Sequence, residues 1–517
     1  MTIQNFKYLL LSMSLSLGTL QAQAATPYVR YNVNSTAGQA NLKAMEVAFW
    51  KMKQMGCADP RSWYYQGAIH QVPRNLTTNP DCPDFVVKNL KPPVLKTAWS
   101  NCTHASADSP QRPASDLNFL MWHRLYTAHL EAVVRRLSGK ADFTLPYFDY
   151  ENIQLVTLPP LLQNSIVNPQ SAIPAHTSAL YSPSRNPRMN AGERIDPIDA
   201  NALKKAIAGL DNNSLFINFS KAINASPHGA MHDYLGGDGL GIDNPILQTK
   251  GKDSSGLMAD VKSAGFDPVF WLHHAAIDRL WTKWDLKNRS NPYARPTLQM
   301  LQQQPWPYVF FDANGQQTAY ATTQDLYRAI YYPDYRYDDM PLQTLGQTKD
   351  TANLELNTAR PLVKSVVVEK NLSSPLTSQV QTINLSTTTT NNSPLKFWHK
   401  LKQNLKAQSV KAWTLDLELQ VTGSPVNNYQ VFLVQGKQRN LIGIINFFGI
   451  EHQDHEPAEH AGHPSGSQLI KDQKSFEITK FYQSGQGVKI EISPVDGSSN
   501  ADNVRISQVS VTAHQAP

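Results

Sequence analysis

Residues 266–284, FDPVFWLHHAAIDRLWTKW, constrain the fold of this chain more than any other stretch. Asp267-Pro268 reads as a helix start, because the carboxylate can accept orphan backbone N–H groups and proline suits the first turn. Phe270, Ile277, Leu280, Trp281 and Trp284 then recur at helical spacing and give a broad apolar stripe. A helix this apolar has to be surrounded, so it predicts a helical core built around itself. His273 and His274 lie inside the same segment, with no acidic residue within a turn on the N-terminal side to partner them. Alone, such residues read as satisfied core histidines; the other histidines of the chain change that reading.

His228 and His232 stand four apart in SPHGAMHDYLGGDG, a predicted helix with Pro227 near its first turn and Gly236-Gly237 at its end. Both imidazoles then project from one face, a spacing that suits two ligands on one metal. A zinc protease would need glutamate directly after the first histidine, and Gly229 stands there, which excludes that chemistry. A second set lies upstream. His123 sits in DLNFLMWHRLYTAHLEAVVRRL, a predicted helix capped by Asp116, while His70 and His104 fall in the long irregular stretch of about 57–116 that precedes it and reads as loop. All-imidazole sites without carboxylate or thiolate favour zinc, copper, iron or nickel, with copper(II) first in affinity. Two such sites in one helical domain suggest a metal pair.

The chain has 517 residues and a net charge of +6, with no lysine/arginine run, so neither nucleic acid nor an anionic membrane is indicated as a partner. Lys7, the apolar run Tyr8 to Leu20 and Ala22-Gln23-Ala24 form a secretory signal peptide over 1–24. The mature protein is therefore expected to be exported, periplasmic or secreted, with no membrane association after cleavage. Three cysteines remain, Cys57, Cys82 and Cys102, so one thiol is left over from any pairing.

A polar extended piece over 25–37 precedes a predicted helix at 38–55; further helices are predicted over 200–208 and from about Leu215. From about residue 361 the pattern becomes alternating, with VKSVVVEK, WTLDLELQV, NYQVFLVQG, LIGIINFFGI, SFEITKFY, GVKIEISP and VRISQVSVTA reading as strands of an antiparallel, sandwich-like β domain. Residues 378–395, rich in Ser, Thr and Asn, read as a loop, and HQDHEPAEHAGH (452–463) as a solvated one. The expected organisation is a mainly α domain over 25–345 with a four-helix core, a linker over 346–360 and a β domain over 361–517.

Two blocks carry a resemblance. FLMWHR…E (Phe119, Trp122, His123, Arg124, Glu131) and DPVFWLHHAAID resemble the two metal motifs of the type 3 copper proteins: tyrosinases, catechol oxidases and hemocyanins. FTLPYFDY, DYRYDD and, more weakly, YQVFLV…LIGIINFFGIEH are similar to segments of plant polyphenol oxidases, so the likeness is to a bacterial-type enzyme with a plant-like C-terminal domain. The resemblance implies a cofactor of two copper ions with dioxygen as co-substrate. It assigns His70, His104 and His123 to the first copper and His228, His232 and His274 to the second, with His273 a neighbour and His129 the substitute for His104. It also implies a thioether between Cys102 and His104 and a disulfide between Cys57 and Cys82, which together resolve the odd cysteine.

The implied activity is oxidation of o-diphenols, with hydroxylation of monophenols such as tyrosine as an extension, giving o-quinones that feed melanin formation or defence. Small phenols and dioxygen are the implied partners, with a copper chaperone as a further one. Hemocyanin-like oxygen binding and o-aminophenol oxidation are the alternatives. Four positions tune such a site: Val261, small where relatives carry a gating phenylalanine; Asn224 and Gly229, where relatives place a glutamate and an asparagine that help deprotonate a phenol; and Phe270, packed between ligands. Asp233 and Asp278 are candidate hydrogen-bond partners of the ligands or helix caps. Phe447 or Phe448 is a candidate plug carried by the β domain, which would cover the copper pocket.

Overall fold

The computed structural model describes residues 28–72, 82, 98–102, 112–163, 177–318, 320–340, 357–385, 410–423, 425, 427–450, 469–484, 486–495 and 503–517. The expected leader (1–24), most of the linker, His104 and the histidine-rich segment 452–463 lie outside these residues.

The helical part is built from α1 (Thr36–Lys53), α2 (Trp63–His70), α3 (Arg112–Ser138), α4 (Pro197–Gly209), α5 (Phe216–Ile223), α6 (Ala230–Gly236), α7 (Pro268–Asn288) and α8 (Thr323–Tyr331). Local chemistry sets their starts. Ser35 accepts the Gly38 N–H at 3.0 Å and opens α1 two residues ahead of the expected position. Ser62 accepts the Tyr65 N–H at 3.1 Å and opens α2, so WYYQGAIH is a helix and not the loop expected from its surroundings. α3 begins at Arg112, so Asp116 lies inside it and does not cap it; its carboxylate faces Lys221 at 3.6 Å. For α7 the expected cap is present: Asp267 accepts the Val269 N–H at 2.9 Å.

Burial then decides the packing. Trp122 on α3 and Trp271, Trp281 and Trp284 on α7 are almost wholly enclosed, and burying an apolar side chain of that class stabilises by about 1.5–3 kcal/mol before conformational entropy is counted. Phe219 of α5 stacks on Trp284 with ring centres 4.2 Å apart. Between α3 and α7 lies a buried ionic knot. Arg30, at the end of strand β1 (Tyr28–Arg30), reaches Glu131 at 2.8 Å and Asp278 at 2.9 Å, and Arg124 reaches Asp278 at 2.5 Å. The hydroxyls of Tyr335 and Tyr337 also donate to Asp278, at 2.5 and 2.7 Å. Those tyrosines sit on β2 (Tyr335–Tyr337), which pairs in parallel with β1, so the first described residues and the DYRYDD segment close the domain together. Asp278 is thus a structural anion: two guanidinium groups and two phenols occupy it, and among the described residues none of its hydrogen bonds goes to a histidine.

Among the described residues the C-terminal part forms two four-stranded antiparallel sheets. One runs in the order β8 (Ile470–Glu477), β5 (Val410–Val421), β10 (Val504–Gln515), β3 (Val363–Pro375); the other runs β4 (Gln381–Leu385), β9 (Val488–Pro494), β6 (Tyr429–Gln435), β7 (Gln438–Ile445). Each predicted strand overlaps an observed one, although β8 ends at Glu477, partway through SFEITKFY, and β4 is an addition. It falls inside the segment expected to be a loop, yet Ile383 and Leu385 alternate inward and its backbone pairs with β9. Two apolar residues at period two outweigh the polar composition around them.

Candidate metal centre

α5 runs into a wide helical turn over Asn224–Gly229, broken at Ser226, and then into α6. Beyond that kink the turn and α6 present His228 and His232 from one face, with ring centres 4.6 Å apart. α6 ends where Gly237 adopts a left-handed conformation, φ 64°, as the Gly-Gly pair predicted. α7 adds His274 and His273. The side-chain donor atoms of His228, His232, His273 and His274 all lie within 4.8 Å of one another, and all four residues are buried.

The opposite wall is built by α2 and α3. His70 at the end of α2 and His123 on α3 have ring centres 5.7 Å apart, and with Cys102 they form a second group of donors within 4.8 Å. Cys102 Sγ lies 3.6 Å from His123 Nε2. His104, the expected thioether partner, lies outside the described residues. Cys57 and Cys82 form the expected disulfide. The two groups face each other: His123 stacks on His274 at 4.3 Å with the rings nearly parallel, and His228 is 6.2 Å from His123. Phe270 wedges between them, 4.8 Å from His70 and 4.2 Å from His274. His129 is directed elsewhere, stacked on Phe310 and bonded to the Tyr320 hydroxyl at 3.0 Å.

The donor set suits metal ions. Nδ1 of His70, His123, His228 and His232 is held by the carbonyls of Val261 (2.9 Å), Phe119 (2.8 Å), Asn224 (3.3 Å) and Met258 (2.7 Å). That bond fixes the tautomer and leaves Nε2 as the donor, as metal-binding histidines require. Nε2 of His232, Nε2 of His273 and both ring nitrogens of His274 are buried with no hydrogen-bond partner among the described residues, a costly arrangement unless something binds there. Burial pulls His123 and His232 down to about 3, and His273 and His274 well below the ordinary histidine value, so these imidazoles are neutral and ready to ligate.

Two features were not legible beforehand. Val261, expected as an open gate, also holds His70 through its backbone carbonyl, a role no side-chain pattern discloses. His273, expected as a bystander, faces the second group, with Nδ1 held by the Tyr150 hydroxyl at 2.7 Å; the two histidines side by side in the sequence were the available signal. The β domain closes the remaining side. Phe448 stacks on His232 at 4.3 Å and meets His228 edge-on at 5.7 Å, whereas Phe447 belongs to the β-domain core. Asn446 donates to Asp233 at 2.6 Å, so Asp233 serves the domain contact. A Cβ on Gly229 would stand 2.2 Å from Asn446 Oδ1 and 3.1 Å from Phe448 Cβ, so the missing side chain at 229 is what admits this loop.

Residues 60–215 and 186–287 match the common central domain of tyrosinase. A tyrosinase of Hahella sp. (strain CCB-MM4) is 30% identical over 307 residues, covering 55% of this chain and 59% of that protein. Hemocyanin 1 of Megathura crenulata is 28% identical over 234 residues, 43% of this chain and 6% of its own length. The chain therefore spans less than two thirds of the length of these relatives. Among solved structures, a recombinantly expressed latent aurone synthase, a polyphenol oxidase, aligns with a TM-score of 0.56 at 14% identity, covering 95% of this chain and 90% of that one, a likeness of fold that takes in both domains. In its central domain, its overall fold and its facing groups of neutral imidazoles, the chain is similar to the type 3 copper polyphenol oxidases, and its two histidine groups could hold a pair of copper ions.

Proposed function

We propose that this chain is a dicopper phenol oxidase that uses dioxygen to convert o-diphenols to o-quinones. The observation that carries the reading is the pair of buried histidine groups facing each other across His123 and His274. His228, His232 and His274 are assigned to one copper, and His70 and His123, with His104 as the third donor and Cys102 as its tether, to the other. When bound, the copper pair supplies the redox chemistry by which dioxygen accepts electrons from the phenol. Two o-diphenols give up four electrons and four protons, and one dioxygen leaves as two waters.

The protein's own part is positioning. Four backbone carbonyls hold the imidazoles in one tautomer and one direction, which removes reorganisation from the reaction itself. Phe270 and Phe119 keep water from the space between the rings. Near His228 the positions that could activate a monophenol hold Asn224, whose backbone carbonyl serves His228, and Gly229; neither offers a carboxylate. That composition favours o-diphenols over monophenols. Export from the cytoplasm through the N-terminal leader completes the reading.

The β domain is assigned as a removable cover, because Phe448 occupies the face of His232 that a phenol ring would otherwise approach. Copper-loaded full-length protein should form quinone from catechol faster than from tyrosine, and Gly229→Ala should raise that rate several-fold by displacing the Asn446–Phe448 loop. The backbone at Gly229 is already helical, φ −60°, so alanine strains nothing but the domain contact. Full copper content with reversible oxygenation and no quinone, in both proteins, would refute the oxidase reading; quinone formation with no gain from Gly229→Ala would refute the cover.

A further inference from the structure

The helix that leads to His228 lacks a cap of its own. The residue that precedes α5 is Leu215, whose side chain cannot accept a hydrogen bond, so the helix start draws its polar partners from elsewhere. They come from the other domain. Glu477, at the end of β8 and almost fully buried, accepts from Ser214 N at 3.0 Å, Ser214 Oγ at 2.6 Å, Leu215 N at 3.4 Å and Asn218 Nδ2 at 3.0 Å. Three residues on, Lys480 Nζ donates to the Asp211 carbonyl at 2.5 Å, where the chain leaves α4. An anion therefore sits at a helix start and a cation at a helix end, the favourable sense in both places. Inside the β domain Thr479 braces the carboxylate at 2.9 Å and is itself fixed by the Trp413 N–H at 3.0 Å. From the catalytic side, Trp284 Nε1 and Asn291 Nδ2 donate to the Asn213 and Ser214 carbonyls at 3.0 and 2.6 Å. The α4–α5 junction is held from both domains at once.

We propose that Glu477 and Lys480 form a clip through which the β domain positions the second copper's histidines, in addition to covering them. Glu477 acts as a positioning residue: it fixes the approach to α5, which runs through the kink at Ser226 directly into the turn bearing His228 and on to His232, and α5 is locked onto α7 by the Phe219–Trp284 stack. Cover and support are thus one body, and loosening the domain weakens the grip on one copper and not the other. The inference rests on the dicopper reading.

The test uses full-length, copper-loaded protein and follows copper loss to a competing chelator together with proteolytic cleavage between the domains. Glu477→Ala should release one of two copper ions about tenfold faster, as loss of an orienting partner does, with the other ion retained and cleavage increased. Asn218→Ala, which removes one of the four bonds from the catalytic side, should shift release in the same direction by less. If Glu477→Ala does not fold, Lys480→Met, at an exposed amine, carries the same measurement. Wild-type protein that holds no copper pair would sink the dicopper reading. A wild-type pair, with both ions leaving the variants at the wild-type rate, would sink the clip alone.

Discussion

The two halves of the metal centre are assembled in opposite ways. The second group comes from near neighbours in sequence: His228 and His232 four apart on one helical piece, His273 and His274 adjacent on another. The first group is gathered from separate segments, with His70 ending α2, His123 inside α3 and Cys102 between them. Local geometry builds one half, and long-range packing builds the other. What the local half lacks is an independent foundation, since the entry to its leading helix is held by Glu477 of the β domain, whereas α2 carries its own cap in Ser62. The half that is easier to read is the one more dependent on a distant partner.

Five substitutions test that contrast, beginning with the largest effect. His228→Ala and His123→Ala should each remove one copper from its own half, measured as metal per chain, and lower activity by more than the roughly 100-fold that loss of an orienting partner costs; copper content unchanged in either variant would show that the donors are misassigned. Asp278→Asn breaks the buried knot that joins both halves and should cost about 3–5 kcal/mol in denaturant unfolding. Burial works to raise the Asp278 carboxyl, but Arg124, Arg30 and the Tyr335 and Tyr337 hydroxyls outweigh it and hold it below the usual carboxylate value. Its contribution is therefore complete above the unfolded value of about 3.9 and is lost as pH falls through the folded value; the variant should show a shallower acid slope. Tyr150→Phe leaves a buried nitrogen of His273 without its partner and should cost about 1–3 kcal/mol, loosening the second half only. Ser62→Ala removes the α2 cap for about 1 kcal/mol and should weaken the first half only; equal weakening of both would erase the distinction.

Much of the site was legible because its signals are short-range. The i,i+4 histidine pair, the Asp-Pro start of α7, the Gly-Gly stop after α6 and the alternating strands each follow from neighbours along the chain. What escaped depends on contacts between residues far apart. Arg30 sits in a segment that reads only as polar and extended, yet it is buried against residues 101 and 248 positions away. The helical state of WYYQGAIH was hidden by the irregular composition around it, although Ser62 was in place to cap it. β4 was masked by Ser/Thr content, and Glu477 is an unremarkable acidic residue until its strand meets α5. Asp278 was visible as an acid near a ligand, but two arginines claim it first.

The indole of Trp122 is packed 4.8 Å from the His123 ring and 6.2 Å from that of His70. A paramagnetic ion held by those rings would lie well within quenching distance of a tryptophan that solvent cannot reach. Emission from this chain should therefore dim as the first copper is taken up and brighten as it is withdrawn, so that the protein reports the filling of that half by its own light, with no substrate added.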